Sequence, residues 1–368
     1  ASRPLPSRLD LRNYSPTGRK LTYGEVAADA AKIPPPDVKT LKLKEPKDWK
    51  YIGKPMKRVD TLLKVNGTET FGIDVKLPGM KYAAIMSSPV FGGTIKSYDA
   101  NAALSRPGVR KVVEIKAMQP SEWPPSPIPP ETLGFVRRVW TESGIAVVAD
   151  TWWQAKTALD AMPKQWDEGL NAKYSSADYD KQLKALLDSP RAVVARKEGD
   201  VAAALKAAAK VLEAEYYTPL TQHATMEPMA CTALVTDDRF EVWAPTQDAD
   251  RGIVAAALAS GMPVEKGELH LVKAGTGFGR RLEQDFVNQS VQIATAMKGT
   301  PVKLIWSREE DTRHGFYNPS SWARLKSGLD AGGKLIAWSE RIAGNTTSVH
   351  RDLAAKVDVV YAGGPGYG

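Results

Sequence analysis

The spacing of apolar and polar positions changes texture several times along this chain. Residues 1–19 are rich in Pro, Ser and Arg, show no period and read as a loop or frayed terminus. Tyr23–Ile33 has helical character, opened by a T-x-x-E box at Thr22 and Glu25 and closed by Pro34, Pro35 and Pro36. Residues 34–58 are polar, basic and broken by proline, which predicts an extended arm. From Val59 the pattern shortens to β-type runs at Thr70–Val75, Lys81–Ser87 and Arg110–Ile115, divided by Gly and Pro turns. Asp99–Leu104 suits a short helix. Ala117–Gly144 holds six prolines and reads as a long irregular loop. Gly144–Ala149 is an apolar strand, and Asp150 stands where it could cap a helix over Thr151–Met162.

The second half repeats the mixture. Residues 171–199 combine helix and polar connection, and Asp200 caps an alanine-rich helix over Val201–Ala209. Strands are predicted at Lys210–Tyr217, Ala230–Thr236, Arg239–Ala244, Glu268–Lys273 and Val302–Ser307. Helices are predicted at Arg251–Ser260 and from about Glu283 to Met297. Ser321–Leu329 and Lys334–Ile342 predict a hairpin about Asp330-Ala331-Gly332-Gly333. The fold class this gives is α+β. An N-terminal helix and basic arm occupy 1–58, one α+β domain 59–170, a connection 171–199 and a second α+β region 200–368. The last region ends without a closing element, which reads as a stop partway through a domain.

Composition removes several classes of function. The chain has 368 residues, 43% apolar and 25% charged, as in ordinary globular proteins. Its longest near-apolar stretch, Gly252–Met262, falls short of the ~20 residues a spanning helix needs. Cys231 is the single cysteine, so this chain forms no internal disulfide and holds no iron–sulfur cluster, which takes about four thiolates. His223, His270, His314 and His350 are scattered and show no zinc spacing, so no metal ligand set is predicted. The net charge is +8, much of it from Lys39, Lys42, Lys44, Lys47, Lys50, Lys54, Lys57 and Arg58. Such a run suits either an acidic partner or a solvated arm. Nucleic acid is not expected, because no binding module follows and aromatics are sparse.

Three segments carry candidate chemistry. Gly275-Thr276-Gly277-Phe278-Gly279-Arg280-Arg281 lies between a predicted strand and a predicted helix. Glycines let backbone N–H groups approach a ligand, a helix start favours an anion, and two arginines offer forked phosphate donors. The loop lacks the GK[ST] of a Walker loop and the spacing of a dinucleotide fingerprint. An anion site and a plain glycine-rich turn both satisfy the pattern. In Trp243-Ala244-Pro245-Thr246-Gln247, Gln247 follows a strand end and can offer an amide to a pocket, or face solvent. In His223–Met229, Glu227 is flanked by methionines and reads as a buried acid or base, or as a surface residue before a proline turn. Cys231 reads as a small core residue.

In this order the segments resemble the molybdenum-binding large subunit of the xanthine oxidase and aldehyde oxidase family, in its isoquinoline 1-oxidoreductase β-subunit branch. Supporting stretches are Lys20–Glu25, Gly53–Pro55, Arg58–Asp60, Phe71–Val75, Pro89–Gly93 and Val302–Tyr317 with Trp306-Ser307-Arg308-Glu309-Glu310-Asp311. The resemblance covers nearly the whole chain after Arg19. It implies an α/β hammerhead domain over 59–170 and the first part of a molybdopterin-binding α+β domain from 200. It implies that Gly275, Thr276, Gly277, Phe278 and Gly279 hold a molybdenum pyranopterin and that Gln247 hydrogen-bonds its oxo group. Arg280 and Arg281 match the branch's double arginine and are expected to contact the cofactor, whose implied form is molybdopterin cytosine dinucleotide. The family's usual middle glycine is Thr276 here, a side chain that either crowds the pterin or faces away. The proline-rich insertion 117–143 is longer than the branch shows.

The implied parent activity is oxidative hydroxylation of N-heteroaromatics or aldehydes, with water as the oxygen source. Electrons are expected to pass to an iron–sulfur small subunit and onward to a c-type cytochrome. No residue matches the family's catalytic glutamate, which lies near the end of the full subunit, so no catalytic residue is assigned. The chain reads as a fragment, a split or cleaved subunit, or a truncated form, with the remaining half of the large subunit as a partner. The branch implies export to the periplasm, although no targeting segment is visible in these residues. The competing reading is a non-catalytic scaffold or inactive fragment that keeps the fold and partner surfaces.

Overall fold

The computed structural model describes residues 12–14, 20–118, 141–190, 192–344 and 359–362. The proline-rich stretch 119–140 and His350 lie outside the described residues. The chain forms two units, 1–67 and 68–368, so the first boundary falls nine residues beyond the expected 58. In the first unit, β1 (Arg12–Tyr14) pairs antiparallel with β2 (Lys20–Thr22), and α1 (Tyr23–Ala30) follows. Thr22 and Glu25 form the capping box that the sequence predicts. The helix ends at Ala30 rather than Ile33, because its last turn tightens to i→i+3 bonds, from Lys32 N–H to the Asp29 carbonyl and from Ile33 N–H to the Ala30 carbonyl, each 3.1 Å. The arm beyond it is exposed, with short 3-10 turns at Val38–Thr40 and Pro46–Asp48, and leads to α2 (Thr61–Val65).

The second unit opens with a correction. Thr70–Val75 is not a strand but a 3-10 turn over Gly72–Asp74, whose Asp74 carboxylate accepts from Phe71 N–H at 3.1 Å. A short acidic side chain bonding its own backbone competes with a strand ladder. Next come β3 (Lys81–Ser87), β4 (Thr94–Tyr98), α3 (Ala100–Leu104), β5 (Val109–Ile115), β6 (Gly144–Ala149), α4 (Trp152–Ala161) and β7 (Lys164–Asp167). Thr151 caps α4 and forms a box with Gln154. The expected cap, Asp150, instead accepts from Lys81 Nζ at 2.6 Å and from Arg110. Two cations draw that carboxylate away from the helix end.

There follow α5 (Ser176–Leu186), β8 (Val193–Val194), α6 (Val201–Ala207, capped by Asp200), β9 (Lys210–Thr218), β10 (Ala230–Val235), β11 (Phe240–Ala244), α7 (Ala249–Ser260) and β12 (Gly267–Leu271). The chain continues through α8 (Asp285–Thr295), β13 (Val302–Ile305), α9 (Arg308–Arg313), β14 (Ser321–Leu329), β15 (Leu335–Gly344) and β16 (Val359–Ala362). β14 and β15 are the predicted hairpin, in a five-stranded sheet ordered β8-β16-β15-β14-β9. β4 and β7 form a separate antiparallel pair.

The main sheet has seven strands in the order β12-β11-β10-β13-β3-β6-β5. Its β13–β3 pairing corrects the domain reading, since strands from 59–170 and from 200–368 share one sheet. β6 is apolar throughout because both its faces are covered. Ala146 and Val148 join a core with Cys231, Ala233, Phe240, Val242, Phe286, Val287 and Val291. Ile145, Val147 and Ala149 face Ala155, Ala158 and Leu159 of α4. Cys231 is fully buried, as expected, and burial pushes its thiol up to about 12. At ~1.5–3 kcal/mol per large apolar side chain, this double-sided burial is what holds the sheet together.

Candidate functional site

Strand direction assembles the site. β11 and β12 are parallel, with Ala244 beside Leu271, so the connections that follow them leave from the same end of the sheet. Ligands bind preferentially in the crevice beyond strand carboxyl ends. β10 runs antiparallel to β11, so the segment 223–229 enters at that end too. β13 is antiparallel to β10, which brings Trp306 within hydrogen-bonding distance of the Met229 carbonyl, 2.9 Å away. Four sequence-distant segments therefore converge.

The structure brings Gln247 against the glycine loop. Gln247 is exposed, and its Oε1 accepts from Gly279 N–H at 3.1 Å. Because that oxygen is engaged as an acceptor, the free face of the side chain is its NH2, a donor. A Cβ on Gly277 would lie 2.4 Å from Gln247 Oε1, so only glycine lets the amide approach this closely. The N–H groups of Gly277 and Phe278 make no hydrogen bond among the described residues, and neither residue is buried. Successive free N–H groups of this kind form an anion-binding concavity.

Backbone strain is concentrated here. Among the described residues three non-glycines have positive φ: Ala224 at 48°, Thr276 at 71° and Phe278 at 51°. Each costs about 1–3 kcal/mol, and such residues cluster at functional sites. Thr276 turns its hydroxyl aside to accept from Met226 N–H at 2.9 Å. Phe278 is 67% exposed beside it.

The two arginines depart from expectation. Arg280 is 1% exposed and forks onto Asp285 at 2.9 and 2.7 Å, under Trp306 and Phe316. Arg281 is fully buried and bonds Glu227 Oε2 at 2.9 Å, the Glu227 carbonyl at 2.8 Å and the Thr276 carbonyl at 2.9 Å. A guanidinium removed from water needs a carboxylate, and these internal partners take both forks. The arginines brace the loop from beneath and do not present phosphate donors.

Glu227 is buried as one sequence reading proposed, but as a clamp and not as a free acid. Its carboxylate accepts from Ile73 N–H at 2.8 Å and Gly275 N–H at 2.8 Å, besides Arg281. Gly275 is obligatory there, since a Cβ would lie 2.5 Å from Glu227 Cβ. The supporting turn was missed in the sequence. Gly72 packs where a Cβ would strike Pro245 Cγ at 2.5 Å, and Lys303 donates to the Ile73 carbonyl. Burial lowers the Lys303 ammonium to about 8. The signal available was a lysine inside an apolar strand.

The β11–β12 register also gathers Glu241, Glu268 and His270, a possible ligand trio among the described residues. Arg239 pairs with Glu241 at 3.0 Å and His270 Nε2 lies 3.4 Å from the same carboxylate, so these side chains already partner one another.

Comparison with known proteins matches residues 187–360 to the molybdopterin cofactor-binding domain. The chain is 30% identical over 308 residues to the nicotinate dehydrogenase large molybdopterin subunit of Eubacterium barkeri, covering 82% of this chain and 72% of that protein. This chain belongs to the xanthine oxidase and aldehyde oxidase family of molybdenum-binding large subunits. Within the family it is 27% identical to isoquinoline 1-oxidoreductase subunit beta of Brevundimonas diminuta, covering 83% of this chain and 37% of that one. The fold matches quinoline 2-oxidoreductase from Pseudomonas putida 86 with a TM-score of 0.55 at 19% identity, over 78% of this chain and 39% of that chain. The chain spans about two fifths of the length of several curated relatives it matches.

Proposed function

We propose that this chain is the cofactor-holding part of a molybdenum hydroxylase large subunit. The observation that carries the reading is the exposed Gln247 amide, held through its oxygen at Gly279, on a loop whose Gly277 and Phe278 N–H groups make no hydrogen bond among the described residues. Those donors suit the electron-rich oxygens of a molybdenum pyranopterin. Arg280 and Arg281 do not fit the same role, because both are buried against internal carboxylates.

When bound, the cofactor supplies oxidative hydroxylation of an electron-poor carbon, with water as the oxygen source. Gln247 orients by donating its amide. Gly277 and Phe278 hold the ligand through the backbone, and Glu227 with Arg281 keeps their loop in shape. We assign proton removal to the part of the family's large subunit that this chain does not span. The substrate class we propose is N-heteroaromatics or aldehydes, by likeness to relatives named for isoquinoline, nicotinate and aldehyde oxidation. The cytosine dinucleotide form of the cofactor, an iron–sulfur small subunit passing electrons to a c-type cytochrome, and a periplasmic location belong to the same proposal. No helix among the described residues is long and apolar enough to cross a membrane.

The test is molybdenum per chain by elemental mass spectrometry, on natively purified material with every co-purifying chain retained. About one metal per copy is expected. A folded, fully assembled sample without molybdenum would favour the non-catalytic scaffold.

A further inference from the structure

Thr276 interrupts the run of loop glycines, and the geometry gives that residue work of its own. A β-branched residue at φ 71° is strained, and glycine would take the same backbone without cost. The strain is offset by a contact glycine cannot make: Thr276 Oγ1 accepts from Met226 N–H at 2.9 Å. Met226 belongs to the segment that enters β10, fifty residues away in sequence. That segment is itself strained, with Ala224 at φ 48°. Its other side is held by Arg308, which donates to the Thr225 carbonyl at 2.6 Å and the Met226 carbonyl at 3.1 Å. His223 packs against the far side of the loop, its Nε2 3.8 Å from where a Cβ on Gly279 would sit. The two strained segments therefore lean on each other, and the Thr276 hydroxyl is the side-chain hydrogen bond that joins them at Met226.

We propose that Thr276 is a positioning residue, a hydroxyl latch that ties residues 223–227 to the ligand loop. It keeps exposed Met226 at the loop's rim, and exposed Phe278 stands two residues on from Thr276 (79% and 67% exposed). The latch holds the backbone of Gly277 and Phe278 in its donor-outward shape without touching the ligand. The inference rests on the proposed cofactor site for its purpose but not for its geometry.

The test compares full-length wild type with Thr276→Ser, Thr276→Val and Thr276→Gly, each purified in its native assembly. Two readouts are taken: amide hydrogen exchange at Met226, and molybdenum per chain. Serine keeps the hydroxyl and is expected to keep both readouts at wild-type level. Valine keeps the shape without the acceptor, and faster exchange by about tenfold with severalfold less molybdenum is expected. Glycine is expected to behave like valine although it relieves the backbone. Because glycine suits φ 71°, that variant stays informative even where valine fails to fold. Wild-type protection at Met226 in the glycine variant, or molybdenum loading above wild type in it, would overturn the latch. Absence of molybdenum from wild type would overturn the cofactor reading, and exchange at Met226 would then decide the latch alone.

Discussion

Single residues in the ligand loop matter as much for what they lack as for what they carry. Gly277 leaves the space that Gln247 occupies, so Gly277→Ala is expected to displace the amide. Overpacking of this kind costs about 1–3 kcal/mol. Urea unfolding measures that cost, and molybdenum content is expected to fall severalfold with it. Unchanged values for both would mean that the amide does not depend on this approach. A second residue-scale effect lies under α9. Glu310 accepts from Ser87 N–H at 2.7 Å, and His314 Nε2 lies 3.8 Å from its carboxylate. Burial pushes Glu310 up to about 7 and His314 down to about 4. The folded carboxyl holds its proton when the unfolded chain, at 4.5, has lost it. Its stabilising contribution is complete below that value and lost as pH rises through 7. The imidazole acts oppositely: its contribution is complete above 6.5 and lost as pH falls through 4. The two slopes oppose each other in wild type. His314→Gln is expected to expose a decline in stability toward pH 7, on the order of 3 kcal/mol across the window. Glu310→Gln is expected to expose a rise over the same range. Urea midpoints from pH 4 to 8 check both, and two flat profiles would contradict the assignment.

Elements were legible where local chemistry was unopposed. The capping box at Thr22 and Glu25, the Asp200 cap of α6, the β14–β15 hairpin and apolar β6 all form as their residues predict. The failures share a cause, because in each a side chain answered to its own backbone or to a distant partner. Asp74 bonded its own turn and removed a strand, and Asp150 turned to Lys81 and Arg110 and left the α4 cap to Thr151. One element governs the site more than its sequence suggests. Edge strand β12 begins at Gly267, where a Cβ would lie 2.0 Å from Phe240 Cζ of β11. Gly267→Ala is therefore expected to wedge β12 away from β11 and shift the loop that follows it. A loss of about 1–3 kcal/mol is expected in urea unfolding, with lower molybdenum content although position 267 lies outside the loop. Wild-type molybdenum in a destabilised Gly267→Ala protein would show that the loop keeps its place independently of β12.

At the scale of the whole molecule, one sheet does the assembling. The segments 223–229, 245–247, 272–281 and 306–308 meet because β11, β12 and β13 run one way and β10 the other, so that the start of β10 and the ends of the other three lie together. Molybdenum content of the complete assembly is the whole-molecule prediction, and it tests that convergence directly. From its residues alone the chain disclosed the α+β class, most element positions and the buried thiol, because these rest on short-range spacing and on residue types with few uses. Three things needed the tertiary structure. The sheet joins the two halves that the sequence divided at 170–200. Arg280 and Arg281 turn inward although their motif suggests anion donors, and of the two readings for Thr276 its side chain takes the one that faces away, onto Met226 N–H. Each depends on which distant residue stands opposite: β3 beside β13, Asp285 and Glu227 under the arginines, Met226 N–H before the threonine. Residue spacing along a chain carries no record of such partners, because burial and strand pairing select them only once the sheet has closed.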